Sequence, residues 1–223
     1  MTTRLIVGFD GSDHSRVALD WAAREAERRD AAVRVVTAYA APPVMSYYGI
    51  HGGVYSPEQY GEAAEQYRRQ AVEAVAKVVA EHPTVGIDIE VVDAFPADPL
   101  LHGATIDDLI VVGSSGSGSV KSFILGSVVA SVLHSSPCPV VVTPASLRLH
   151  IGKIAVGIDG SAASDRALRW AATEAELWSS DLVVVHAWEY PYRLADDSVK
   201  PRSEARASTP ASRSTALWRR RGS

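Results

Sequence analysis

Twenty-one residues starting at Val7, VGFDGSDHSRVALDWAAREAE, recur from Val156 as VGIDGSAASDRALRWAATEAE, in register and without a gap. The offset is constant and pairs Asp10 with Asp159, Trp21 with Trp170 and Ala38 with Ala187. About two thirds of these positions are identical, more than shared helix composition produces, so the chain reads as a tandem repeat. Each copy opens with an apolar β-branched run, passes through an Asp-Gly-Ser turn that offers helix N-caps, and enters an amphipathic segment. That order predicts strand, turn and helix twice over.

The second copy is shorter. After VVVHAWEYPY the sequence loses apolar periodicity, and nothing beyond it repeats Val111 to Ser127. From Val199 onward seven Lys or Arg face a single acid, Glu204, among Ser, Ala and Pro. This composition predicts a disordered tail over 193–223. A basic nucleic-acid-binding arm and a truncated or frameshifted copy are the alternatives, and the sequence leaves them open. The domain reading is therefore a complete first copy over 1–146, an incomplete strand–helix–strand copy over 152–192, and the tail.

In the first copy Arg4 to Phe9 (RLIVGF) reads as a strand. From Ser15, Ala18, Trp21, Ala22 and Ala26 form one apolar face, while Arg16, Asp20, Arg24 and Glu27 take the other; this helix ends near Asp30. Further strands are expected at Val33 to Ala38, Ile87 to Ala94, Leu109 to Val112 and Pro139 to Thr143. Helices are expected at Glu58 to Glu81, Pro99 to Ala104 and Gly126 to His134. Ala41 to Pro57, with its prolines, Tyr47, Tyr48 and His51, is a long connection of the kind used as a lid or an excursion. Alternating strands and helices imply right-handed crossovers, hence an α/β fold with a doubly wound five-stranded parallel sheet. In the order 3-2-1-4-5 the first and fourth strands are neighbours at the switch point, where such sheets bind ligands.

That topology decides the meaning of VVGSSGSGSVKSFILGS, Val111 to Ser127. By composition it is a linker. By position it is a βα connection inside the fold, whose glycines permit close backbone approach and whose helix start offers unpaired N–H groups to an anion. It is neither a P-loop, because no Lys-Ser/Thr follows Gly118, nor a dinucleotide fingerprint, because no third Gly opens the helix. Lys121 reads first as a solvated loop lysine, His134 as a helix C-terminal cap, His51 as exposed, and Trp21 and Trp170 as packing anchors.

With IVGFDGS, ALDWAAREA, LIVVGS, the pattern Gly113-x2-Gly116-x9-Gly126-Ser127 and SSPCPVVV, the chain resembles the universal stress proteins. The resemblance covers Arg4 to about Pro144 and again Lys153 to about Glu189. It implies the ATP-binding branch of that family, with phosphates on the backbone of Gly113, Gly116, Gly126 and Ser127. It also implies Asp10 at the nucleoside and metal side, the backbone of Gly8, Phe9 and Ala38 around the adenine, and ATP with Mg as the ligand.

The leading expectation is thus a regulatory ATP-binding protein with at most one nucleotide site per chain and no catalytic residues. A weak ATPase or nucleotidyl transferase is the enzyme alternative, and a dimerising interaction protein without nucleotide is the third. The strand at 139–143 is expected to be a sheet edge through which a homodimer forms. A net charge of -4 gives no pull toward nucleic acid or anionic membrane, and no window supplies the apolar length of a membrane span. The single Cys138 excludes an internal disulfide framework. With no secretory cleavage region visible at the start, a cytoplasmic location is expected.

Overall fold

A computed structural model of the 223-residue chain describes residues 4–39, 57–115, 126–145 and 152–187, and the backbone of 214–218. It divides into two compact units, Met1–Leu147 and Arg148–Ser223.

In the first unit five parallel strands alternate with four helices. They are β1 (Arg4–Gly8), α1 (Asp13–Arg29), β2 (Ala32–Tyr39), α2 (Pro57–Glu81), β3 (Ile87–Asp93), α3 (Ala97–Leu101), β4 (Asp108–Gly113), α4 (Ser127–Ser135) and β5 (Val140–Thr143). The sheet order is β3-β2-β1-β4-β5, so the chain winds outward in one direction from β1 and in the other from β4. This is the doubly wound α/β fold that the alternation of strands and helices requires.

The central strands are buried on both faces, and their sequences say why. Leu5, Ile6 and Val7 of β1 and Leu109, Ile110 and Val111 of β4 are all fully buried. Such continuous apolar runs are what a strand sandwiched between two helical layers needs. On one face Ile6, Val36, Ile110 and Val112 pack with Leu100 of α3, Val129 and Val132 of α4, and Cys138. The opposite face is covered by α1, whose Ala18, Leu19, Ala22, Ala23 and Ala26 are buried. The small alanines let that helix lie close to the sheet. At the amino ends of the central pair, Arg4 Nη2 meets Asp108 Oδ2 at 2.9 Å and locks β1 to β4.

The helix boundaries have local causes. α1 starts at the N-cap Ser12, whose hydroxyl accepts from the Ser15 N–H at 3.2 Å. It stops at Asp30, which adopts φ 52° and sends its N–H back to the Ala26 carbonyl. α3 is shifted toward the N-terminus relative to the expected Pro99 to Ala104 and ends at Leu101, with His102 as its C-cap before Gly103 at φ 66°.

In the second unit β6 (Lys153–Ile158), α5 (Ala162–Leu177) and β7 (Asp181–His186) form a parallel strand–helix–strand unit. Val156, Ala171, Ala175 and Leu182 make its small core. A further strand, β8 (Ser214–Trp218), pairs antiparallel with β7. Composition pointed to disorder across 193–223; Ser214–Trp218 is the part of that stretch that the structure describes, and it is strand. Local sequence gave no turn or alternation to announce it, and the free edge of β7 supplies the ladder.

The Asp-Gly-Ser turn has the same geometry in both copies. Gly11 and Gly160 sit at φ 78° and 82°, in the left-handed region that favours glycine. Asp10 Oδ1 accepts from the Ser12 N–H at 3.0 Å, and Asp159 Oδ1 from the Ser161 N–H at 2.9 Å. Hydrogen bonds from the Ser161 hydroxyl and backbone, then from the Ser164 hydroxyl, hold the Asp159 carboxyl down at about 2.

Candidate functional site

The carboxyl ends of β1, β2 and β4 and the start of α4 surround a cavity of about 590 Å³, within the range of small-molecule sites. Gly8, Phe9, Asp10, Ala38, Gly113, Gly126 and Ser127 all line it. Gly116, Lys121, His51 and most of the long connection lie outside the described residues.

The strand ends place the first three. Phe9 continues β1 by donating its N–H to the Val36 carbonyl at 2.9 Å, which turns Asp10 out at the tip of the sheet. Phe9 itself is 3% exposed, and the Arg16 guanidinium lies 6.0 Å from its ring centroid. Asp10 is the one charged side chain in the described lining, and it also holds the N–H of Ser12.

Across the cavity, β4 delivers Gly113 and Ser114. The Ser114 N–H donates to the Thr143 carbonyl at 2.9 Å, and the Ser114 carbonyl accepts from the Gly126 N–H at 3.3 Å. The Gly/Ser run therefore leaves and re-enters the fold across a single hydrogen bond, which a spacer between domains would not do. Gly126 then caps α4 with φ -59° and ψ 155°, an ordinary extended conformation. Among the described residues no side chain caps this helix, and no acidic residue stands in its first turn. The N-terminal N–H groups and the positive end of the dipole of such a helix attract an anion.

Two glycines that the sequence groups together have different reasons to be glycine. A Cβ on Gly113 would lie 2.7 Å from the His14 carbonyl carbon and 2.8 Å from the His14 oxygen. The start of α1 crosses too close to tolerate a side chain there. A Cβ on Gly126 would meet nothing within 4 Å among the described residues. Packing explains Gly113, whereas none of the described residues crowds Gly126.

The cavity also has walls that local pattern does not announce. Tyr39, at the end of β2, and Tyr67, on α2, stack with centroids 5.9 Å apart and ring planes at 15°. Both line the cavity, together with Ser15, Pro96, Leu100 and Ser115. Tyr67 was visible as part of the helical period of α2, but nothing in that period could say which strand end it would meet.

A doubly wound α/β protein with a ligand-sized cavity at the switch point of its sheet is the class this geometry defines. The chain matches the model of the universal stress protein family over residues 1–144 and again over 150–218, and it belongs to that family. A universal stress protein of Mycobacterium tuberculosis is 32% identical over 206 residues, covering 82% of this chain and 62% of that one. One from Mycolicibacterium smegmatis is 35% identical over 191 residues, covering 82% and 63%. The chain thus spans about three fifths of the length of these curated relatives. Among solved structures, a universal stress protein from Archaeoglobus fulgidus shares the fold with a TM-score of 0.58 at 20% identity, covering 85% of this chain and 68% of that one. A universal stress protein solved in complex with cAMP aligns at 26% identity with a TM-score of 0.47, covering 65% and 98%. No helix among the described residues is long and apolar enough to cross a membrane.

Proposed function

We propose that the cavity is a nucleotide site and that the chain is a regulatory ATP-binding protein of the universal stress family. The observation that carries this reading is Gly126: a glycine whose Cβ would meet nothing among the described residues, at the start of a nine-residue helix that none of those side chains caps, on the wall of a 590 Å³ cavity. Open space beside exposed backbone N–H groups is what a phosphate needs. Gly126, Ser127 and the first turn of α4 would hold phosphate oxygens, and Gly113 would contribute backbone at the end of β4. Gly116 belongs to the same loop and is part of the proposal by sequence.

On the other side, Gly8, Phe9, Ala38 and the Tyr39–Tyr67 pair form the less polar end of the cavity, suited to a flat base. Asp10 would accept from a ribose hydroxyl or meet the magnesium that accompanies ATP. The residues present fit such a ligand: N–H donors at one end, a carboxylate in the middle, aromatic and aliphatic surface at the other. Magnesium, when bound, neutralises phosphate charge that N–H groups meet only in part.

The reading is binding and regulation rather than turnover. Hydrolysis needs a group that orients water and cations that meet developing charge. Asp10 is committed to the turn through Ser12 and is the single charged group in the described lining. Thermal unfolding with Mg-ATP tests the proposal, since a ligand at 100 times its dissociation constant stabilises by about 2.7 kcal/mol. An unfolding midpoint indifferent to Mg-ATP contradicts it.

A further inference from the structure

Away from the cavity, the C-terminal end of α2 packs over α1 and gathers three possible metal ligands. Asp20 on α1, Glu81 at the end of α2 and His82 just after it each offer one donor atom, and the three atoms lie within 4.8 Å of one another. The His82 side chain is only 13% exposed. Its Nε2 is shielded from solvent and has no hydrogen-bond partner among the described residues. A buried ring nitrogen left in that state is costly unless something occupies it.

The other face of the ring is already held. His82 Nδ1 lies 2.9 Å from Glu27 Oε2, and Glu27 Oε1 accepts from the Thr84 hydroxyl at 3.3 Å. A carboxylate at Nδ1 fixes ring orientation and favours the tautomer with its proton on that nitrogen, which leaves the Nε2 lone pair available to an ion. Metal-binding imidazoles are supported in this way, by a carboxylate behind the ring.

We propose that Asp20, Glu81 and His82 hold a divalent transition-metal ion, best probed with Zn2+, at the seam between α1 and α2. One imidazole and two carboxylates suit Zn2+, which takes nitrogen at about 2.0–2.1 Å and carboxylate oxygen at about 2.0–2.2 Å with water in the open position. Mg2+ and Ca2+ prefer all-oxygen shells and fit less well. The ligands must draw inward, and the exposed Glu81 can do so. Asp20 must turn from Arg24, whose Nε and Nη2 donate to Asp20 Oδ1 at 3.3 and 3.1 Å in a part-buried i,i+4 pair, so the ion has to displace that pair. An ion there ties α1 to the end of α2 and stabilises the fold by mass action.

The test is a calorimetric titration of the chelator-treated 223-residue chain with Zn2+ and no nucleotide, beside thermal unfolding in chelator. Wild type is expected to bind Zn2+ at this site, and His82→Gln to lose it. Glu27→Gln should weaken binding by about 10–100-fold. Glu81→Gln changes an exposed side chain; it should unfold like wild type in chelator yet bind at least about tenfold more weakly, so the test survives if His82→Gln does not fold. X-ray absorption at the zinc edge should report a nitrogen and oxygen shell. The proposal is overturned if wild type binds no Zn2+, or if Glu81→Gln and His82→Gln bind it as wild type does. Either result leaves His82 as a partner of Glu27 alone.

Discussion

A side chain on Gly113 would drive its Cβ to 2.7 Å from the carbonyl carbon of His14, so the tip of β4 and the first turn of α1 are in contact through the absence of a side chain. Gly126, on the same cavity, has none of the described residues within 4 Å of where its Cβ would lie. The two positions therefore separate folding from binding. Gly113→Ala is expected to destabilise the ligand-free protein by about 1–3 kcal/mol, because backbone at His14 must move. Gly126→Ala should change ligand-free stability by less than about 1 kcal/mol, the scale of an altered helix cap. Urea unfolding without nucleotide checks both. Equal stability of the two variants would show that the His14 contact relaxes freely.

The ion pair between Arg4 and Asp108 should carry measurable stability. Asp108 is 2% exposed at its side chain. It accepts from Arg4 Nε and Nη2, from the Thr105 N–H at 2.7 Å and from the Thr105 hydroxyl at 3.0 Å. Burial pushes the carboxyl up, but the Arg4 and Thr105 hydrogen bonds and the Arg4 charge outweigh it and hold it below 3.8. A carboxyl lowered in the folded state gives stability that is fully present above its unfolded value and is lost as pH falls through the folded one. Asp108→Asn should cost about 1–3 kcal/mol at neutral pH. The gap to wild type should narrow below pH 3.8, which unfolding curves across that range would reveal.

Asp159 offers a local check on the repeated turn. Its carboxyl, held by Ser161 and Ser164, should titrate at about 2 by carbon-13 NMR. Ser161→Ala should return the midpoint toward the ordinary 3.8. A wild-type midpoint already near 3.8 would mean that the turn is not formed in solution.

How much of this was legible in the sequence depends on how far apart the partners lie. β1 and β4 announce themselves because burial on both faces demands unbroken apolar runs at Leu5–Val7 and Leu109–Val111. From alternating strands and helices the order 3-2-1-4-5 follows through crossover handedness and the switch-point rule. The cavity could be placed in advance for the same reason. Gly113 was legible as a constraint but not as to its cause: the crossing of α1 at His14 is a tertiary fact. Tyr39 with Tyr67, and Asp20 with His82, come from segments separated by a long connection, and helical periodicity carries no address for a partner on another element. β8 pairs with β7 from beyond a stretch without apolar period, so no local signal marks it.

β5 closes the sheet with β4 on one side, and its Val140, Val141 and Val142 are half-buried. We expect a second copy of the chain to cover this edge, since an apolar edge strand favours pairing. Sedimentation at micromolar concentration should show a dimer, and Val141→Lys should shift it toward monomer. A wild-type protein that stays monomeric excludes that assembly.

The central claim is that the start of α4 receives a phosphate. Calorimetric titration with Mg-ATP of wild type and Gly126→Ala, both verified as folded, tests it most directly. The account predicts saturable binding to wild type at one site per chain and at least about tenfold weaker binding to Gly126→Ala, a loss of roughly 1.4 kcal/mol. No binding to wild type, or equal binding to both, would contradict it.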